Sequence, residues 1–181
     1  IEMREKVAFP PEIVESALAE IYALPPIEEV VIVSTCNRTE IYLDFAEGDS
    51  EAPAGDVLAQ NRQLLDRQAQ VVAWLSKFHD LEASELEQCS YSYASEDVVR
   101  HLMKVSCGLD SMVLGEPQIL GQIKSAYAVS KDQQVVAQSL GRAFEEAFSI
   151  AKQVRTDTAI GENPVSVAYA AVTLAERIFS D

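Results

Sequence analysis

The apolar run Val30–Val33 stops at the seven residues Ser34-Thr-Cys-Asn-Arg-Thr-Glu40, and a second strand-like stretch, Glu40–Phe45, begins at once. A short apolar run bounded by turn residues reads as a buried strand. The pattern predicts strands over 30–34 and 40–45, joined across the STCNR turn. No other segment constrains the fold as tightly. It also puts Cys36 at a strand end, where a thiol is held rigidly yet can be reached from outside. Thr35, Asn37, Arg38 and Glu40 surround it with a hydroxyl, an amide, a guanidinium and a carboxylate. A guanidinium grips a carboxylate through two parallel N–H bonds, and its charge favours the thiolate, the reactive form of cysteine. The seven residues read equally well in two ways. One is a nucleophile beside a carboxylate site. The other is a small hydrophobe ending a strand, with Asn37 and Arg38 forming the turn.

Helical patterns fill most of the remaining chain. Pro10-Pro11-Glu12 opens a helix carrying Ile13, Val14, Ala17, Leu18, Ile21 and Leu24 at helical spacing, and Pro25-Pro26 ends it. Residues 47–55 form a polar loop. A helix is expected over 57–79, with Leu64, Leu65, Val71, Val72, Leu75 and Phe78 on its apolar side. Ser84 to Glu87 fits a capping box, Ser90–Tyr93 a short strand, and Ser95 the cap of a helix reaching Cys107. Further helices are expected over 116–133, 138–158 and 165–179, with a break at Gly161–Pro164. The long one repeats Leu140, Phe144, Phe148, Ala151 and Val154 in steps of three or four. Strands and helices mixed in this way predict an α+β fold.

Charge and cysteine usage narrow the function. The net charge of −15 argues against broad nonspecific nucleic-acid binding. The acids concentrate in residues 1–99, so any RNA contact is expected on bases of the second half such as Arg100, Lys104, Lys124, Arg142 or Arg155. Three cysteines without ligand-like spacing predict neither a disulfide framework nor a metal site. There is no basic-plus-apolar leader and no tract of 18 apolar residues, so a cytoplasmic protein without membrane association is expected. The seven glycines never form G-x-G-x-x-G, so no dinucleotide site is expected in this chain.

His101 sits on a predicted helix among Leu102, Val105 and Leu109; alone, such a histidine is more often a buried, hydrogen-bonded residue than a catalyst. His79 is expected on the surface at a helix end. Cys107 ends a helix, where the dipole raises a thiol pKa, and Cys89 has no basic sequence neighbour, so neither competes with Cys36. Asp110-Ser111 and Gly115-Glu116-Pro117-Gln118 fall on loops. Gln122 follows Gln118 by four and shares its helix face, and a helix start points N–H groups outward.

The segment HLMKVSCGLDSMVLGEPQILGQIK (101–124), taken with STCNRTE, closely resembles glutamyl-tRNA reductases, and VRTDTAIGENPVSVA (154–168) adds a third match in the right order. The resemblance covers nearly the whole chain. It implies a catalytic domain over 1–134 whose first strand, an N-H-K-T-like segment, is missing. A long connector helix over 135–160 and the start of a linker to an absent NADPH domain over 161–181 would follow. The expected architecture is a ferredoxin-like antiparallel sheet with helices on one face, followed by that connector. The implied activity is NADPH-dependent reduction of glutamyl-tRNA to glutamate-1-semialdehyde through a cysteine thioester, the first step of five-carbon tetrapyrrole (porphyrin) biosynthesis. Cys36 and His101 would be catalytic. Thr35, Asn37, Arg38, Ser111, Glu116, Pro117, Gln118 and Gln122 would bind substrate. A homodimer of the full-length protein and glutamate-1-semialdehyde aminomutase are the implied protein partners. The alternative is a non-catalytic module that holds glutamyl-tRNA or a regulatory partner. The chemistry needs both signatures at one site. The helix ending at Cys107 is therefore expected beside the strand that ends at Cys36, with His101 facing it. Ser111–Gln122 should close the other side, and the far end of the long helix should be poorly packed.

Overall fold

A computed structural model of the chain describes residues 2–46, 57–111, 114–161, 172 and 175–179. Strands β1 (Ile27–Ser34) and β2 (Thr39–Phe45) pair antiparallel. Val30 lies opposite Leu43, Val31 opposite Tyr42, Ile32 opposite Ile41 and Val33 opposite Glu40. Side chains alternate across the pleat, so Val30, Ile32, Ile41 and Leu43 share one face, and Val31, Val33, Glu40 and Tyr42 share the other. The first face packs on α2 (Pro11–Tyr22) and α3 (Val57–His79) through Leu18, Ile21 and Trp74. The second packs on α5 (Glu96–Ser106), α6 (Pro117–Asp132) and α7 (Gln138–Asp157) through Leu102, Val105, Ile123 and Phe144. The α+β class and the antiparallel sheet are as expected; helices cover both faces of that sheet, where one was anticipated. This is why four successive residues of β1 are apolar: every one of Val30–Val33 is 1% exposed or less.

Two edges complete the picture. On the β1 side, the Val30 N–H donates to the Val135 carbonyl at 2.8 Å, so the link between α6 and α7 runs beside that strand. On the β2 side, no strand pairs among the described residues. Residues 90–93, expected as a strand, join no ladder. Extended backbone without a hydrogen-bonded partner is not a sheet member.

Helix α7 is held by a residue far away in sequence. The buried Glu29 carboxylate accepts the N–H groups of Ala137, Ser139 and Leu140 at 2.9, 2.8 and 2.9 Å. Three donors left bare by the first helical turn are satisfied by one anion, at the end of the helix that favours negative charge. The far end of α7 is also packed, contrary to expectation. Ala151 is fully buried, Arg155 Nη2 donates to the Glu116 carbonyl at 3.0 Å, and Ile160 touches Gly115.

Local expectations fail where side chains were assigned to caps. Helix α4 (Ala83–Cys89) starts one residue before Ser84, which is inside it, so no capping box forms. Ser95 holds the N-cap position of α5 but makes no side-chain cap bond. A short helix α1 (Glu2–Lys6) was not anticipated. His79, at the end of α3 as expected, is half-buried rather than free on the surface: it packs edge-on against Phe9, with ring centroids 4.7 Å apart. The 47–55 loop, the 161–164 break beyond Gly161 and most of the 165–179 helix lie outside the described residues. No helix among the described residues is long and apolar enough to cross a membrane.

Candidate functional site

The hairpin closes on two residues, Cys36 and Asn37. Thr35 N–H donates to the Arg38 carbonyl at 2.8 Å, and the N–H groups of Asn37 and Arg38 both donate to Thr35 Oγ1 at 3.2 Å. Arg4 on α1 donates to the carbonyl and the side-chain oxygen of Asn37 at 3.3 and 3.4 Å. Thr35 and Asn37 thus shape and anchor the tip, and Cys36 stands exposed on it.

Strand alternation carries the next residues inward. Arg38, Glu40 and Tyr42 occupy every second position and share a face. Arg38 Nη1 donates to Glu40 Oε1 at 2.9 Å and to Asp110 Oδ2 at 3.1 Å, and Nη2 donates to the Asp110 carbonyl. Burial works against the Arg38 charge, but Glu40 and Asp110 outweigh it and hold its pKa above the ordinary value. The guanidinium expected to lie open to a substrate carboxylate is therefore occupied by the protein's own acids. Of the two acids, Asp110 has the more exposed side chain.

Glu40 is the hub. Its Oε1 accepts from Arg38, from the Tyr91 hydroxyl at 2.5 Å and from His101 Nε2 at 2.8 Å; its Oε2 accepts from the Tyr42 hydroxyl at 2.6 Å. Burial pushes a carboxyl up, yet the hydrogen bonds from His101, Tyr42 and Tyr91 and the charge of His101 overcome it and place Glu40 at about 2. Burial, together with Glu40, pushes the Tyr42 and Tyr91 phenols upward. His101 is buried on α5 against this face, with Tyr91 and Tyr93 rings 5.6 and 4.7 Å from its own. Its Nδ1 is 4.0 Å from Asp110 Oδ2.

Asp110 reaches the site because of a glycine-closed turn. Gly108 and Gly115 both take positive φ, +75° and +77°, and the Gly115 N–H donates to the Gly108 carbonyl at 2.9 Å. A side chain at Gly115 would meet Ile160 at 2.8 Å, so glycine is required there for conformation and for space.

Arg38, Asn37, Glu40, Tyr91, Tyr93, His101 and Asp110 line a cleft of about 640 Å³ that continues along Ile41 and Leu43 of β2 to Val71 and Leu75 of α3. Cys36 sits beside this lining rather than in it, and Ser111, Glu116, Gln118 and Gln122 do not line it. Ser111 follows Asp110 on the turn. The Glu116 carbonyl is taken by Arg155, and Pro117 opens α6. Gln118 and Gln122 share the exposed side of α6 while Ile119 and Ile123 enter the core. Sequence reasoning left the roles of Glu40, Tyr42, Tyr91 and Asp110 unassigned. The Arg38-Glu40-Tyr42 alternation was the available signal, since an acid beside an apolar strand position is buried only when it is paired.

Cys107 is buried, and burial raises its thiol pKa. Cys89 donates its thiol to the Glu85 carbonyl at 3.2 Å. Among the described residues no three His, Cys, Asp or Glu side chains are grouped to hold a metal ion. The two glycines at positive φ close on each other, the Gly115 N–H being taken by the Gly108 carbonyl.

Comparison with known proteins shows the family. Residues 1–158 match the family described as glutamyl-tRNAGlu reductase, N-terminal domain. Over all 181 residues the chain is 51% identical to a glutamyl-tRNA reductase of Ectopseudomonas mendocina (strain ymp), spanning 38% of that protein. It is also 51% identical to a glutamyl-tRNA reductase of Pseudomonas aeruginosa (strain PAO1), spanning 39% of it. The solved glutamyl-tRNA reductase from Methanopyrus kandleri superimposes with a TM-score of 0.64 at 27% identity, over 97% of this chain and 36% of that one. The chain belongs to the glutamyl-tRNA reductase family and matches its N-terminal domain.

Proposed function

We propose that this chain is the acyl-accepting domain of a glutamyl-tRNA reductase. The observation that carries the reading is the exposed Cys36 on a two-residue turn whose next inward side chains, Arg38 and Glu40, are bonded to each other, with Glu40 bonded in turn to His101. The Cys36 thiolate attacks the ester carbonyl of glutamyl-tRNA. The sulfur–carbon bond forms, the bond to the ribose oxygen breaks, and that oxygen takes a proton as free tRNA leaves. His101 is the group suited to moving that proton. Arg38 binds the glutamyl side-chain carboxylate, which takes the place of Asp110. Thr35 and Asn37 hold the tip rigid, and Ser111, Glu116, Pro117, Gln118 and Gln122 form a second contact region for the tRNA end. A thioester lacks the resonance of an ester or amide, which suits sulfur to an acyl group awaiting reduction.

The full-length protein would complete that reduction to glutamate-1-semialdehyde with NADPH held outside the described residues, as part of a homodimer that passes product to the aminomutase. Residues 1–134 carry the chemistry and 161–181 lead towards the nucleotide domain.

The test is incubation of the chain with glutamyl-tRNA labelled in the glutamate. We expect Cys36-dependent release of tRNA and a hydroxylamine-sensitive adduct on the protein, both absent in Cys36→Ser. Binding of glutamyl-tRNA without release would instead establish a binding module.

A further inference from the structure

We propose that Glu40 is a positioning residue that fixes the Nε2–H tautomer of His101 and so leaves Nδ1 as its proton-exchanging nitrogen. The proposal rests on the acyl-transfer reading above. Four donors converge on the Glu40 carboxylate: Arg38 Nη1, the Tyr91 and Tyr42 hydroxyls, and His101 Nε2. An ionised carboxylate only accepts. The 2.8 Å contact to Nε2 therefore needs a proton on that nitrogen. In neutral imidazole the other nitrogen is then bare. Nδ1 is this bare atom. It lies on the Asp110 side of the ring, 4.0 Å from that carboxylate.

Orientation is fixed as firmly as tautomer. Leu102 and Val105 anchor α5 in the core, so the helix cannot roll. Tyr91 and Tyr93 pack against the imidazole, and Tyr91 is itself tied to Glu40. A carboxylate that orients a histidine through one nitrogen and frees the other for proton transfer is a general arrangement. In the acyl transfer, Nδ1 would take the thiol proton and return it to the departing ribose oxygen, so no proton is gained or lost.

A purely structural Glu40 would staple β2 to α5 and do nothing to the ring. Histidine ¹⁵N NMR of the wild-type chain, taken above its imidazole titration, separates the two. We expect His101 wholly as the Nε2–H tautomer; an Nδ1–H tautomer or an averaged mixture overturns the proposal. Glu40→Gln keeps size and removes the anion. It should mix the tautomers and slow Cys36-dependent release of tRNA by about 10- to 100-fold, change the affinity for glutamyl-tRNA by much less than the rate, since the amide still accepts from Arg38, and Glu40→Asp should recover part of the rate. Unmixed tautomers in Glu40→Gln, or equal losses of affinity and rate, also overturn it. If Glu40→Gln does not fold, the wild-type spectrum decides alone. A wild-type chain with the expected tautomer but no acyl transfer would sink the reductase reading and leave the tautomer assignment standing. Acyl transfer with the wrong tautomer would sink only the role of Glu40.

Discussion

Arg38 Nη1 lies 3.1 Å from Asp110 Oδ2, joining the turn after β1 to the turn after α5 across 72 residues of sequence. The pair makes Asp110 an internal occupant of the place a substrate carboxylate would take. Because the Asp110 side chain is 54% exposed, the bond contributes little, on the order of 0.2–1 kcal/mol. Asp110→Asn in the full-length enzyme is therefore expected to lower KM for glutamyl-tRNA by up to about fivefold. Arg38→Lys keeps the charge but loses the fork, at a cost of about 1.5–3 kcal/mol, or roughly 10- to 100-fold in kcat/KM. Steady-state kinetics of both variants checks this. A tenfold rise in KM for Asp110→Asn would make Asp110 a substrate ligand rather than a competitor.

The three thiols differ in setting and should differ in reactivity. Cys36 is exposed on the hairpin tip, Cys89 is exposed but donates to Glu85, and Cys107 is buried with its pKa pushed up. Brief alkylation near neutral pH followed by peptide mapping should label Cys36 first and Cys107 last. Equal labelling of Cys36 and Cys89 would count against an activated nucleophile.

Why the hairpin and its cysteine were legible, and the hub was not, follows from the range of the interactions. The strand pair, its turn and the α2, α3, α5, α6 and α7 helices are written in local periodicity and in breaks such as Pro25-Pro26. Contacts between distant segments leave no such trace. Glu40 meets Tyr91 and His101 from 51 and 61 residues away, and Glu29 caps α7 from more than 100 residues away. Ser84 and Ser95 resembled caps because local chemistry was the only guide; the helix bounds put Ser84 inside a helix and leave Ser95 without a cap bond. The second face of the sheet was missed because the apolar run of β1 looks the same whether one or two helical layers cover it.

The Glu40 hub predicts an acid-sensitive fold. Its carboxyl is held at about 2 against an ordinary value of 4.5. As pH falls, the unfolded chain binds this proton first. The stabilisation is thus complete above about pH 4.5 and is lost on the way down through pH 2. A shift of this size corresponds to a contribution on the order of 3 kcal/mol. Urea denaturation between pH 6 and 2 should show this loss in the wild type and a flatter profile in Glu40→Gln. Parallel profiles would mean that other carboxylates carry the acid sensitivity.

Glu29 offers the sharpest test of how the core is assembled. Its two oxygens satisfy the N–H groups of Ala137, Ser139 and Leu140. No local residue can replace it, because the N-cap residue Ala137 has no side-chain acceptor. Glu29→Ala strips three donors of their acceptor; the Leu140 N–H is buried, while Ala137 and Ser139 are exposed. Leaving the buried Leu140 N–H unsatisfied costs about 1–3 kcal/mol and the two exposed donors can turn to water, so a loss on the order of 1–3 kcal/mol is expected. Glu29→Gln keeps one acceptor but points an amide N–H₂ at a backbone donor, so it should recover less than half of the loss. Chemical denaturation gives the magnitude, and amide hydrogen exchange gives the place: protection at Ser139 and Leu140 should fall before protection in β1. If Glu29→Ala costs under 1 kcal/mol, α7 is held by Phe144 and its apolar neighbours alone, and the link from the sheet to the helix is incidental.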